Sequence, residues 1–337
     1  MKFKSHLLRL GGFSIGLLIL YYTINSFGGF EKILHNLIDL NYFYLFVIIN
    51  SFGWMVFYTI GWRQIMSDVN NKIKYLSLLK VKLSGEGVNF MTPLGFIAGD
   101  PVRVLLLKKY IGPEARLRSV VVDRMIHSLS AQIFCFIGVL LIFTQKIDFP
   151  IGLHIVVMLV YSLLVAFFIS MLYSMTSGRG FGLFEGLFRF FKIEKRLPRV
   201  HDGLENLREN LEYYNGRSKM PMVISFLCHL AGRILGATEI MIIFYCYQGE
   251  ANFIFAIILA SLTSFFSIVM GWIPGALGVI EYVYAQFFML YGFSSEVGIS
   301  VQIVRRLRVF FWVAVGIFLL DYAEISKNFN KIKQKKV

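Results

Sequence analysis

The sequence predicts an all-α polytopic membrane protein, with six spans and two re-entrant helical hairpins in an inverted repeat. Three observations predict it. The 337-residue chain is 57% hydrophobic and only 16% charged, where a soluble domain carries about 25% charged residues. Two long apolar stretches are interrupted by glycine and proline. Finally, the cations sort to alternate connecting segments. The composition excludes a soluble or disordered chain. The net charge of +14 would fit nucleic-acid binding in a soluble protein. In a chain this apolar it reads instead as a topology signal, with no nucleic-acid partner.

The elements follow in order. Residues 11–27 form an apolar run behind Lys2, Lys4 and Arg9. No small-x-small cleavage site follows, so the run reads as a retained span rather than a signal peptide. Further spans are predicted at 42–62, 119–143, 150–174, 220–247 and 300–323, each near the roughly 20 residues that cross a bilayer. Residues 83–107 do not fit a straight span. They contain Gly85, Gly87, Pro93, Gly95, Gly99 and Pro101, with Glu86, Asp100 and Arg103. Residues 253–290 are too long for one helix and break at Gly271-Trp-Ile-Pro274-Gly275-Ala-Leu-Gly278. Broken backbone at membrane depth persists only when buried in protein or lining a wet cavity. Both stretches therefore read as hairpins, with a full crossing by 253–290 as the alternative.

Charge tests the topology. The pieces assigned to the cytoplasm are 1–10, 63–82, 108–118, 175–219 and 324–337, and their net charge is +17. The pieces assigned outside are 28–41, 144–149, 248–252 and 291–299, and theirs is −3. This asymmetry puts both termini inside. The insert 175–219 contains an aromatic stretch at 181–191 flanked by basic residues, read as an interfacial amphipathic helix, and a solvated helix at 201–214. The division is one membrane domain over 1–326, with halves at about 7–143 and 150–323, and a basic tail at 327–337. The tail suits an anionic leaflet or serves as a topology anchor.

A shift of 181 residues superposes the two breaks. Pro93 falls on Pro274, Asp100 on Glu281, Tyr110 on Tyr291, Ser119-Val120 on Ser300-Val301, and Arg124 on Arg305. Three spans and one hairpin per half would leave the halves upside down relative to each other. Inverted repeats with broken helices organise many transporters, and free N–H groups at the breaks favour anionic ligands. An old duplication without a transport role is the alternative.

Twelve charges remain at membrane depth, namely Glu86, Asp100, Arg103, Asp123, Arg124, Arg233, Glu239, Glu281, Arg305, Arg306, Arg308 and Asp321. Six are cations, all arginine, and six are anions. Ionisable groups there are costly and point to function. Asp100 and Arg103 have the spacing of a local helix pair. Asp123 and Arg124 are adjacent and must seek separate partners. Arg305, Arg306 and Arg308 are placed near an outer interface, where they could snorkel to headgroups. A structural ion-pair network and a ligand site are both open readings, and they are compatible. Cys135, Cys228 and Cys246 lie in separate spans and read as packing residues. His127 and His229 lie in spans. No metal motif, nucleotide loop or soluble catalytic domain is evident, so no cofactor, no metal and no enzyme activity are expected.

The stretch Asn89-Phe-Met-Thr-Pro93-Leu-Gly95-Phe-Ile-Ala-Gly99-Asp100-Pro-Val-Arg103, followed by Val122-Asp123-Arg124, resembles the lysylphosphatidylglycerol synthase transmembrane region, or flippase-like, family. So do Ile273-Pro274-Gly275-Ala-Leu-Gly278-Val-Ile-Glu281, with Arg305 or Arg306 after it, and Trp62-Arg63. One departure is Gly275-Ala-Leu-Gly278, where the family often has a second glycine after Pro-Gly. The resemblance covers nearly the whole chain. It implies a bacterial or archaeal inner-membrane protein that handles lipids, a stand-alone member without the soluble synthase domain. Arg103, Arg124 and Arg305 would hold the phosphate of an anionic or aminoacylated phospholipid, or of another lipid-linked phosphate. Asp100, Asp123 and Glu281 complete the candidate site, Asp100 and Glu281 pairing with the arginines or with a cationic headgroup. The expected partners are membrane lipids. A membrane-embedded transferase, or a non-catalytic partner of a separate lipid-modifying enzyme, are the rival readings.

Overall fold

In the computed structural model the described residues are 18–26, 29–66, 72–91, 99–142, 144–145, 213–214, 216–270 and 273–319, together with scattered positions between 152 and 173. The predicted first span is described only from residue 18, where it is helical. The described positions within 150–174 are helical too. Most of the 175–219 insert, the 327–337 tail, Pro93, Gly95 and Asp321 lie outside the described residues.

Nine helices carry the fold described below: α1 (Gly29–Asp39), α2 (Phe43–Ile65), α3 (Tyr75–Met91), α4 (Gly99–Leu106), α5 (Pro113–Ile142), α6 (Met220–Gln248), α7 (Phe253–Val269), α8 (Val279–Leu290) and α9 (Ser295–Leu319). Among the described residues there is no strand. Three helices, α2, α5 and α6, are long and apolar enough to cross a membrane. Helix α9 has the length, but Arg305, Arg306 and Arg308 interrupt its apolar run. The outer surface carries large exposed apolar side chains such as Leu45, Leu227, Phe310 and Phe318, as a bilayer solvent requires. The chain is a multi-pass integral membrane protein.

Several boundaries move from the predicted positions. Helix α3 begins at Tyr75 rather than at 83, and α5 begins at Pro113 rather than at 119. Proline at the first helical position loses no hydrogen bond, so the helix extends through the charged residues ahead of its apolar run. One consequence is that Lys82, grouped with an inner loop by its charge, lies inside α3 and is buried.

Helices α2, α3, α4 and α5 match α6, α7, α8 and α9 in order, and the 181-residue shift aligns each pair to within a few residues. The packing follows the same correspondence. Helix α2 lies along α6, α3 packs on α9 as α5 packs on α7, and α4 packs on α5 as α8 packs on α9. Apolar burial drives helix association weakly in lipid, so close contacts and polar bonds carry more of it. Asn50 Nδ2 donates to the Leu235 carbonyl at 2.7 Å, and Thr238 Oγ1 donates to Asn50 Oδ1 at 3.1 Å, tying α2 to α6. Trp312 Nε1 donates to Ser51 Oγ at 2.8 Å, tying α9 to α2. An aromatic cluster of Phe244, Phe255, Phe287, Phe288, Tyr291 and Phe293 fills the space between α6, α7 and α8.

The described end of each predicted break is a helix start. At the first, Gly99 opens α4 with its N–H on Asn89 Oδ1 of α3 at 2.7 Å. A Cβ on Gly99 would lie 2.0 Å from the Gly85 carbonyl oxygen, so only glycine permits this approach. At the second, α7 ends and a single 3₁₀ turn, Pro274–Ala276, leads to α8. Gly275 has φ +61° and Gly278 φ +80°, conformations that other residues rarely adopt. The Gly278 N–H donates to Glu281 Oε2 at 2.7 Å, so Glu281 caps the helix it belongs to.

Candidate functional site

The buried charges meet where these broken helices touch the long ones. Asp100 sits in the first turn of α4, and Arg103 one turn later on the same helix. Arg103 Nη1 donates to Asp100 Oδ1 at 2.9 Å, and its Nη2 donates to Glu86 of α3. Arg124, on α5, grips Asp100 with two bonds of 2.8 Å, Nε to Oδ2 and Nη2 to Oδ1. Asn89 Nδ2 donates to the other oxygen of Glu86 at 3.1 Å. Three helices are thus joined by two acids and two arginines. The Arg103 side chain is 1% exposed, whereas Arg124 is 22% and Asp100 15% exposed. Glu86 is 17% exposed, so Arg124, Glu86 and Asp100 together form the open edge of the cluster.

Asp123 and its neighbour Arg124 point to different partners. Asp123 Oδ2 accepts from Lys82 Nζ at 2.7 Å, and Oδ1 lies 3.0 Å from His229 Nε2 of α6. Lys82 also lies 5.5 Å from the Trp62 ring and 5.8 Å from Tyr58. The buried cations are therefore not all arginine. Lys82 has the same i, i+4 spacing to Glu86 that pairs residues on one helix face, and that spacing was the available signal. His127 and His229 come together at 3.2 Å between their Nδ1 atoms, and Arg233 Nη2 lies 2.7 Å from His127 Nε2. Here too the signal was helical spacing, His127 four residues after Asp123 and Arg233 four after His229.

The second half departs from the first. Arg305, matched to Arg124 by the repeat, does not meet Glu281. It binds Glu239 of α6 at 3.2 Å, Tyr284 Oη at 2.5 Å, Thr263 Oγ1 at 3.2 Å and Gln302 Oε1 at 3.1 Å. Arg308 Nε faces Glu239 Oε2 at 3.4 Å and stacks over Trp54 at 4.4 Å. Arg306 is the partner of Glu281, and its Nη2 reaches the Gly275 carbonyl at 3.3 Å. The reading that these three arginines snorkel outward is corrected for Arg305 and Arg308. Glu239 is fully buried and holds both inside, because an unpaired carboxylate there would cost several kcal/mol, about 3–5 by analogy with other broken buried pairs.

The predicted site residues thus fall into three separate groups. Arg103, Arg124, Asp100 and Asp123 gather around α3, α4 and α5 with Glu86 and Lys82. Arg305 and Glu281 belong to two different clusters in the second half. Among the described residues, no group of three His, Cys, Asp or Glu side chains is arranged to hold a metal.

An arginine–carboxylate pair stands beside each of the two glycine-dependent breaks, on residues that carried the family resemblance. The family pattern of the lysylphosphatidylglycerol synthase transmembrane region matches residues 9–316. The chain belongs to this family. Two archaeal proteins are similar over most of its length. A UPF0104 membrane protein of Methanothermobacter thermautotrophicus is 26% identical over 298 residues, 82% of this chain and 84% of that protein. A UPF0104 membrane protein of Pyrococcus horikoshii is 21% identical over 325 residues, 92% of this chain and 94% of that one.

Proposed function

We propose that the chain is a lipid translocator, moving an anionic or aminoacylated phospholipid, or another lipid-linked phosphate, across a bacterial or archaeal cytoplasmic membrane. The observation that carries this reading is the Arg124–Asp100 fork. Two parallel N–H bonds onto a carboxylate are the geometry that arginine offers to a phosphate. Here the carboxylate is tethered on a short helix beside a glycine-dependent break, and Arg124 is the most accessible side chain of the charge cluster. An incoming phosphate would replace Asp100 on Arg124, with Arg103 adjacent, while the lipid tails stay in the bilayer.

The matched halves support this reading. Three spans and one hairpin per half would relate them by an axis in the membrane plane, with six spans and both termini in the cytoplasm. Helix α7 has 17 residues and α8 has 12, each shorter than the roughly 20 that a full crossing needs. They fit the two arms of a hairpin. The family name mentions a synthase, yet the buried acids here are engaged by arginine, lysine or histidine. We read the chain as a non-enzyme, in keeping with a binding role for its charges.

The test is reconstitution of the purified chain in liposomes with tail-labelled fluorescent phosphatidylglycerol. The fraction of label bleached by a membrane-impermeant reductant is then followed with time. Translocation predicts bleaching beyond the outer-leaflet half, faster than in protein-free vesicles. Bleaching that stops at half contradicts it. A new lipid species formed in the same vesicles would favour a membrane-embedded transferase. Activity that appears only with a co-purifying synthase would favour a partner role.

A further inference from the structure

Beside the Arg103–Arg124 cluster runs a polar line that the Arg124–Asp100 fork does not use. It joins Lys82 of α3, Asp123 and His127 of α5, and His229 and Arg233 of α6. Arginine can only donate. Arg233 Nη2 lies 2.7 Å from His127 Nε2, so that nitrogen accepts, and in a neutral ring Nδ1 carries the proton. His127 Nδ1 lies 3.2 Å from His229 Nδ1, which therefore accepts. The His229 proton is left on Nε2, which donates to Asp123 Oδ1 at 3.0 Å. Lys82 closes the line at 2.7 Å on Oδ2. From Arg233 to Asp123 every bond runs in one direction, and each ring has a single tautomer. A packing role would require neither imidazole, and polar groups at this depth are costly.

We propose that this line is a proton-binding relay ending on Asp123, and that protonation of Asp123 is linked to anion binding by Arg103 and Arg124. The lipid arm of this proposal rests on the translocator reading. When Arg233 leaves His127, Nε2 takes a proton from water. His127 passes its Nδ1 proton to His229 Nδ1, and His229 passes its Nε2 proton to Asp123. One proton has entered, both rings are again neutral with their tautomers reversed, and Asp123 is a neutral acid. Lys82 then loses its counterion. Glu86 lies one helical turn along α3 on the same face, and Lys82 competes there with Arg103. An Arg103 with a weaker hold on Glu86 has more capacity for phosphate, so proton and anionic lipid favour each other's binding.

The groups that face this line come from every packed helix. Tyr58 of α2 stacks on His229 at 5.0 Å and meets His127 edge-on at 4.9 Å. Lys82 and Glu86 come from α3, Arg103 from α4, Arg124 from α5 and Arg233 from α6.

Two measurements on the full chain test the proposal. In nanodiscs, ¹⁵N-histidine NMR at neutral pH should show His127 protonated on Nδ1 and His229 on Nε2, assigned with H127Q and H229Q. Acidification should reverse both tautomers together. Mixed tautomers at neutral pH, or titration of the rings without reversal, would overturn the relay. In proteoliposomes clamped at zero potential with valinomycin, a one-unit pH gradient should shift the leaflet distribution of labelled phosphatidylglycerol by up to about tenfold for one proton per lipid. The H229Q variant should show no shift. If the native chain moves the lipid but ignores the gradient, the coupling fails and the translocator stands. If it moves no lipid at all, the translocator reading and this lipid arm fail together, and NMR alone judges the relay.

Discussion

Arg124 and Asp100 share two parallel hydrogen bonds of 2.8 Å across the α4–α5 contact. The pair joins a short broken helix to a long spanning one, and it sits at the partly exposed edge of the charge cluster. A carboxylate in that position holds the arginine in the conformation a phosphate would need.

The Lys82–Asp123 pair should behave as a buried ion pair whose halves depend on each other. K82M alone leaves Asp123 with only His229, and should cost about 3–5 kcal/mol, as loss of one partner of a buried pair does. Combining K82M with D123L should recover most of that loss. Thermal unfolding of K82M, D123L and the double variant in detergent checks it. Additive losses in the double variant would mean that the two groups do not act as a pair.

Gly99 should tolerate no side chain. G99A brings a methyl within 2.0 Å of the Gly85 carbonyl and should lower the unfolding temperature, consistent with an overpacking cost of about 1–3 kcal/mol. G112A, where nothing lies within 4 Å, is the control and should leave stability nearly unchanged. Equal effects at the two sites would count against the close α3–α4 approach.

Glu281 has two tasks, capping α8 through Gly278 and pairing with Arg306. E281Q can keep one acceptor and should lose less stability than E281A, which keeps none. The difference should be about 1 kcal/mol, the usual worth of a cap. Unfolding of both variants in the same detergent measures it, and indistinguishable variants would remove the capping role.

Much of the fold was legible in the residues. The spans at 42–62 and 220–247 match α2 and α6 because long, mostly apolar runs free of internal glycine–proline breaks admit little else. The breaks at Gly99 and at Pro274–Gly278 were legible because glycine and proline mark conformations that other residues avoid. Asp100 and Arg103 were legible as a local pair because helical spacing alone brings them together. The long-range partners were not. Nothing local says that Arg305 turns to Glu239 while Arg306 takes Glu281, since that choice depends on how α6, α8 and α9 cross. Lys82 was hidden by its basic neighbours, which made the first half of α3 look like the end of a loop. The His127–His229 contact joins residues from different halves, and only the packing of α5 on α6 reveals it.

The most direct measurement is the rate of labelled phosphatidylglycerol translocation by R124A and R124K compared with the native chain, at equal protein density. The account predicts that R124A loses at least about tenfold, consistent with removal of a charge-assisted hydrogen-bonding group worth about 1.5–3 kcal/mol. It predicts that R124K recovers only part of the loss, because lysine keeps the charge without the fork. Native rates in both variants would contradict the assignment of Arg124 to the lipid phosphate.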